Sequence, residues 1–558
     1  MVKRVFNFVY QEVRGLHRAA YVIALFSIGS QLLAIVRDRL LAHTFGAGAE
    51  LDLYYAAFRI PDLLFVLFAS VLSIYVLLPF VNKQKEEGGV EAGRAVLSQI
   101  FSLFLVLYAI VAVVLAVAAP WYIPKLFPGF IDQQETLTML LRVLLFQPLL
   151  LGLSNLCGVV TQMNHRFVLY AISPLLYNLG IIVGIAVLYP FLGLLGLVFG
   201  VIIGATGHLL IQVPFVIKSE YAFSSVAKIN WKLVRQVLRI SIPRALTLSV
   251  NQIVLLVFIG MASVMVAGSV SVFQFAFNLQ SVPLAVIGMS YSVAAFPTLS
   301  NLFSRKDFDG FNRQLLTALR HIIFWSIPVV GLVVVLRAYI VRVLLGSGAF
   351  DWGDTRLTAA MLAIFVLSLV AQAALLLLIR AFYAGGKTGV PLLVALGSGA
   401  FSIALAILFQ MLYQSNESLQ IFIEQLFRLT EVVGAEVLVL SLAFMVGQFV
   451  QLVIMLALSS KLFGIRYASL GRLFIQSIVA SLVGGVSAYA TLAFLVDGIN
   501  QETFIGIGVQ GLIAGVMGLI GVILTYLAFR SPELHEVYRS FHTRIFKTDV
   551  IAPQSDQV

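Results

Sequence analysis

AVLSQIFSLFLVLYAIVAVVLAVA, Ala95 to Ala118, holds no charged residue and is long enough as a helix to cross about 30 Å of hydrocarbon. Working outward, apolar runs of similar length recur on both sides. Spans are expected near residues 21–45, 51–80, 95–118, 137–161, 168–188, 192–217, 240–262, 267–297, 319–342, 358–383, 388–411, 433–459, 471–496 and 504–529. The first two are interrupted by charges. Composition agrees: of 558 residues, 61% are hydrophobic and 11% charged, against about 25% charged in a soluble domain. Such a chain cannot cover itself with a water-facing surface. The expected fold class is an all-α polytopic membrane protein of about fourteen transmembrane helices.

The formal net charge of +11 does not point to nucleic acid. The basic residues come singly between apolar runs, with no aromatic-interleaved stripe. The single cysteine, Cys157, excludes an intrachain disulfide and a Cys-rich metal site, and reads as a small buried apolar side chain. Lys and Arg fall mostly on alternate loops: the N-terminal arm, Lys83 and Lys85, Arg166, Lys218 through Arg239, Arg305 through Arg320, Lys387, Lys461 through Arg472, and Arg539 to Lys547. The opposite loops carry little beyond Lys125, Arg356 and Arg428. Both termini are therefore expected in the cytoplasm, at a bacterial inner membrane. Residues 1–18 read as an amphipathic arm on the cytoplasmic leaflet. Residues 412–431 hold a short helix on the outer leaflet, and the tail after Pro553 is polar and expected to be disordered.

An internal repeat is visible at an offset of about 220 residues. Ala47-Gly48 opens a span ending at Pro79 before a charged loop, Lys83-Gln84-Lys85. Ala267-Gly268 opens one ending at Pro297 before Arg305-Lys306-Asp307. The short loops Asn164-His165-Arg166 and Gly386-Lys387-Thr388 keep the offset. Two pseudo-symmetric six-helix lobes, 19–217 and 240–459, are expected, related by an axis along the membrane normal. A cytoplasmic linker, 218–239, joins them. Two further helices lie in 460–530, and a cytoplasmic tail occupies 531–558.

No enzymatic motif is present. AFYAGGKT, Ala381 to Thr388, lacks the first glycine of a phosphate-binding loop and follows a membrane helix rather than a strand. The seven histidines show no paired spacing that would hold a metal. No cofactor is expected. The informative residues are charges inside spans, which are costly there and face a cavity or a partner. Arg37 and Asp38 lie within span 1. Asp52, Arg59 and Asp62 lie on span 2, where Arg59 and Asp62 can pair and Asp52 and Arg59 share a stripe. Arg244 opens span 7 and Arg380 ends span 10. One reading is that Arg37 and Asp52 tie spans 1 and 2 together as an ion pair. The other is a basic cavity whose guanidinium groups neutralise an anionic headgroup.

VRDRLLAHTFGAGAELDLYYAAFRIPDLL, Val36 to Leu64, resembles the amino-terminal signature of the MurJ (MviN) lipid II flippase family, within the MOP (MATE-like) exporter superfamily. AGSVSVFQFAFNLQSVPLAVIGMSYSVAAFPTLSNLF, Ala267 to Phe303, and RAFYAGGKTGVP, Arg380 to Pro391, continue the resemblance. It implies paired helical lobes, alternating access and export of an undecaprenyl-linked peptidoglycan precursor. The partners would be the bilayer, a polyprenyl-pyrophosphate-linked glycan or other amphiphilic anion, and cell-wall synthesis proteins. Of the family's cavity residues the chain keeps Arg37, Asp38, Asp52 and Arg59. It departs at Gln31, Phe65, Val66 and Asn278, where the family carries arginines. A different MOP-type transporter, for another polyprenyl-linked polysaccharide or for a drug or ion, and a non-transporting membrane scaffold stay open as alternatives.

Overall fold

The computed structural model describes residues 12, 16–226, 229–495 and 503–545, and these are predominantly helical, without a strand. The expected arm at 1–18 and the end of the tail lie largely or wholly outside the described residues. In a bilayer no water is available to the backbone, so each span must satisfy its own N–H and C=O groups, and a helix does so.

In chain order the helices are α1 Leu16–Phe45, α2 Ala49–Ala57, α3 Arg59–Val71, α4 Ile74–Leu126, α5 Gln134–Leu144, α6 Phe146–Met163, α7 Phe167–Val183 and α8 Leu194–Leu210. There follow α9 Trp231–Ser263, α10 Ser269–Leu284, α11 Ser290–Ser304, α12 Phe308–Leu344, α13 Trp352–Leu367, α14 Leu369–Ala384 and α15 Gly389–Ser415. The last five are α16 Glu417–Phe427, α17 Leu438–Phe463, α18 Gly471–Ala490, α19 Phe504–Ala528 and α20 Pro532–Ile545. Among the described residues, 12 helical stretches are long and apolar enough to cross a membrane, or 13 with α13 and α14, bent by 43°, as one span. The helix α1, expected as the first span, lies outside that count and carries Arg37, Asp38 and Arg39.

Two local expectations are corrected. Span 2 does not run on to residue 80: Ala49–Val71 is one span that ends before Ser73, whose backbone is extended, and it holds a one-residue break in the hydrogen-bond ladder at Phe58, itself αR, between α2 and α3. Pro61 has no N–H to give the carbonyl of Ala57, so the ladder is interrupted where the break falls. The charged run after Pro79 is not a loop. The helix α4 continues through it, with Lys83 and Glu87 3.8 Å apart and Gln84 donating to Glu87 at 2.9 Å, and it breaks only at Gly88 and Gly89, whose backbones are non-helical. Elsewhere the breaks follow the residues. Asn230 caps α9 and Asn416 caps α16 by accepting from backbone N–H groups in the first turn. A π-helical turn, Ala285–Met289, follows Pro283.

Packing divides the chain into two compact units, Met1–Phe275 with Leu344–Thr358 and Thr388–Ala443, and Ala276–Val343 with Ala359–Lys387 and Phe444–Val558. Their boundaries fall inside α10, α13 and α17, so they cut across helices and differ in kind from the repeat lobes. In the first unit α7 and α8 press backbone to backbone: a Cβ at Gly180 would collide with Gly204, and one at Gly200 with Gly184. Lipid supplies no hydrophobic drive for helices to associate, so dispersion at such glycine contacts holds them instead. In the second unit the ring of Tyr526 on α19 stacks on Phe324 of α12 at 4.4 Å, and its hydroxyl donates to the Phe324 carbonyl at 2.9 Å. Leu473, Ala480 and Val522 complete that core.

Candidate functional site

The turn from α1 to α2 brings chain segments far apart in sequence into one cluster of the first unit. Ala349 N–H donates to the carbonyl of His43 at 2.9 Å, and Ala47 N–H donates to Asp354 Oδ2 at 3.0 Å. Asp52, in the first turn of α2 and 2% exposed, accepts from Gly268 N–H through Oδ2 at 2.7 Å. Its Oδ1 accepts from Ser271 N–H at 2.7 Å and from Ser271 Oγ at 2.6 Å. The carboxylate thus caps the N-terminus of α10, where free N–H groups and the helix dipole both favour an anion. Gly268 makes the approach possible. Its φ is +95°, and a Cβ there would run into the Ala47 carbonyl.

Below this cap the stripe continues. Tyr55 and Phe275 meet edge to face at 5.9 Å, and Phe275 meets Phe350 at 5.7 Å. Arg59, buried, donates through Nη2 to Gln274 Oε1 at 2.7 Å and through Nε to its own helix at Tyr55 O, 3.3 Å. The shared stripe of Asp52 and Arg59 is real, but its counterpart is α10. Arg59 and Asp62 make no close ion pair among the described residues: the guanidinium hydrogen bonds go to Gln274 and to Tyr55 O, and Asp62 acts on Arg59 only as a nearby charge. The reading in which Arg37 and Asp52 tie spans 1 and 2 together as an ion pair is not met: Arg37 bonds Asp38 and Asn178, while Asp52 bonds Gly268 and Ser271.

Arg37 forms a second cluster. Its Nη2 lies 2.7 Å from Asp38 Oδ1 and its Nε donates to the same oxygen at 2.9 Å. Its Nη1 donates to Asn178 Oδ1 on α7 at 3.0 Å. Asn178 in turn donates to Ser30 Oγ and to the Pro174 carbonyl, each at 3.2 Å. The side chain of Arg37 keeps 21% of its surface exposed, so the guanidinium is oriented by three bonds yet reachable. A fixed planar fork of this kind suits the oxygens of a phosphate. Arg244 sits partly buried beside Pro243 on α9.

The other two candidates belong to the second unit. Asn278 on α10 is partly buried, and Arg380 on α14 reaches Met289 Sδ at 3.2 Å. Near the bend between α13 and α14, Gln372 donates to Gln280 Oε1 at 3.0 Å and to Ser368 Oγ at 2.8 Å. Sequence reasoning missed Asn178, Ser271, Gln274, Asp354 and this glutamine pair. The lone amide in α7 was a usable signal for Asn178, since an unpartnered amide in lipid costs several kcal/mol.

Comparison with known proteins agrees with this architecture. The family described as lipid II flippase MurJ matches residues 41–508. A probable lipid II flippase MurJ of Rhizobium tropici is 28% identical over 396 residues, covering 68% of this chain and 73% of that protein. The lipid II flippase MurJ of Burkholderia cenocepacia is 25% identical over 392 residues, covering 69% and 76%. Among solved structures, a lipid II flippase MurJ in an inward closed conformation superposes with a TM-score of 0.72 at 22% identity, covering 91% of this chain and 99% of that one. An inward-facing multidrug resistance MATE transporter of the MOP superfamily gives 0.63 at 13% identity, covering 78% and 94%. Both structural likenesses speak to the fold. The match over residues 41–508 goes further: this multi-pass membrane protein belongs to the lipid II flippase MurJ family.

Proposed function

We propose that the chain moves a lipid-linked cell-wall precursor of the lipid II type across the inner membrane by alternating access. Two lobes, 19–217 and 240–459, related by an axis along the membrane normal, rock against one another, and the cargo headgroup passes between them while its chain stays in lipid. The observation that carries this reading is the cap of α10 by Asp52. One carboxylate holds the opening of one repeat against the opening of the other through three hydrogen bonds. Such a contact seals strongly when made, and every donor regains water when it parts, so it suits a closure that is broken and remade. With the Lys/Arg bias placing both termini in the cytoplasm, Asp52 is the latch of the outer end. Arg37, held by Asp38 and Asn178, takes the anionic headgroup, and Arg59 steadies the stripe below the latch.

A second reading, transport of a different polyprenyl-linked glycan, draws support from Gln31, Phe65, Val66 and Asn278, which carry no charge to share a pyrophosphate with Arg37. The deciding experiment is complementation in cells depleted of their own flippase. Growth restored by the chain and lost with Arg37→Ala supports lipid II as cargo. No rescue despite normal membrane levels removes lipid II and leaves the other glycan.

A further inference from the structure

The helix α16 carries an apolar stripe, Leu419, Phe422, Ile423, Leu426 and Phe427, at the i, i+3, i+4, i+7, i+8 spacing of a half-buried helix. The protein covers only part of it. Ile423 is 7% exposed, whereas Phe422 and Leu426 are each 60% exposed. The position of the helix is fixed by its bonds. The 27 residues of α15 extend about 40 Å, beyond about 30 Å of hydrocarbon, so Ser415 ends in the headgroup region. The next helix begins after one residue, Asn416, which caps it. Gln420 donates back to the Tyr413 carbonyl at 2.6 Å, and Tyr413 donates to Glu424 at 3.3 Å. The helix therefore lies beside the last turn of α15, level with the headgroups. The last turns of that span are themselves apolar and exposed at Leu408, Met411 and Leu412.

We infer that α16 docks into the outer-leaflet lipid interface, with Phe422 and Leu426 inserted at the boundary of headgroups and acyl chains. What the anchor holds is the strap that follows it. Arg356, on α13, donates to the carbonyls of Arg428 and Thr430. Beyond them Val432, Val433 and Gly434 form one wall of a cavity of about 420 Å³ whose other wall includes Gly268 and Asp354 of the Asp52 cluster. Lipid insertion of α16 thus fixes one side of the latch. The leaflet named here rests on the outer placement of residues 412–431; the insertion itself does not.

The test places a polarity-sensitive bimane on Phe422→Cys or on Glu417→Cys, an exposed position on the opposite flank, each in full-length protein carrying Cys157→Ala. The protein is held in phosphatidylcholine nanodiscs with and without brominated chains, where both faces are open. Insertion predicts that brominated lipid quenches the label at 422 several-fold more than the label at 417, and that aqueous iodide does the reverse. Equal iodide quenching at both positions overturns the proposal, because the flank then stands in water. Protection of the 422 label that brominated lipid fails to quench, or that appears only with two copies per disc, overturns it in favour of a second copy of the chain. A failure of sidedness would show instead as labelling at Ser415 from the wrong face.

Discussion

Asp52→Asn is the sharpest perturbation of the latch. The substitution keeps size and one oxygen but turns the other into an NH2 group. If the remaining oxygen serves Ser271, the amide nitrogen faces Gly268 N–H, donor against donor, where a 2.7 Å bond stood. The loss is one hydrogen bond to a charged group together with the interaction of a full charge with the α10 N-terminus. The first contributes about 1.5–3 kcal/mol and the second about 0.3–1 kcal/mol. At 1.4 kcal/mol per factor of ten, the parted state should gain about twentyfold to several-hundredfold in population relative to the closed one. The assay is the rate at which a membrane-impermeant maleimide modifies Val272→Cys, a position 1% exposed on the same cavity wall, in a Cys157→Ala background. The rate should rise by that factor, and Ser271→Ala, which removes only the hydroxyl bond to the same carboxylate, should raise it about tenfold to a hundredfold. If Asp52→Asn leaves the rate within twofold while the protein melts normally, the carboxylate is not what holds the cluster, and the latch reasoning fails.

Arg37→Ala should abolish complementation while membrane levels stay near normal, and Arg37→Lys should be partly active at best, because an ammonium keeps charge but loses the planar fork; near-normal complementation by Arg37→Ala would remove the headgroup role. Gly268→Ala should cost about 1–3 kcal/mol, through a positive φ and a collision with the Ala47 carbonyl, read as a lower melting temperature together with faster Val272→Cys labelling. Cysteine labelling in intact cells should modify Ser415→Cys from outside and Ser304→Cys only after permeabilisation, and the reverse pattern would overturn the charge-based topology.

Much of the fold was legible because membrane spans write themselves in the sequence as long uncharged runs, and because turns such as Asn164-His165-Arg166 sit between them unmistakably. The helix at Glu417–Phe427 was legible for the same reason, its apolar residues recurring at helical spacing. Asp52 and Arg59 stood out since a charge in lipid needs a reason. Their partners did not. A search among side chains for the mate of Asp52 finds Arg37, whereas the donors are mostly backbone N–H groups of Gly268 and Ser271, which every residue but proline possesses and no composition reveals. The break at Phe58 was written in Pro61 four residues past Ala57. The helix through Lys83 to Glu87 was hidden because a charged run ordinarily marks a solvated loop, and here i,i+4 neighbours support a helical extension.

That Asp52 is met mainly by main-chain N–H groups bears on how this protein can change over generations. A side-chain ion pair can drift: either partner can be lost, swapped or reversed, provided the other follows. A carboxylate that caps a helix has no such compensating partner to mutate. Reversing its charge cannot be rescued by any single replacement at Gly268, where a Cβ is excluded, or at Ser271, whose N–H persists under nearly every substitution. The position is therefore an evolutionary dead end for charge exchange. Lineages that alter it must rebuild the turn between α1 and α2 rather than repair one contact.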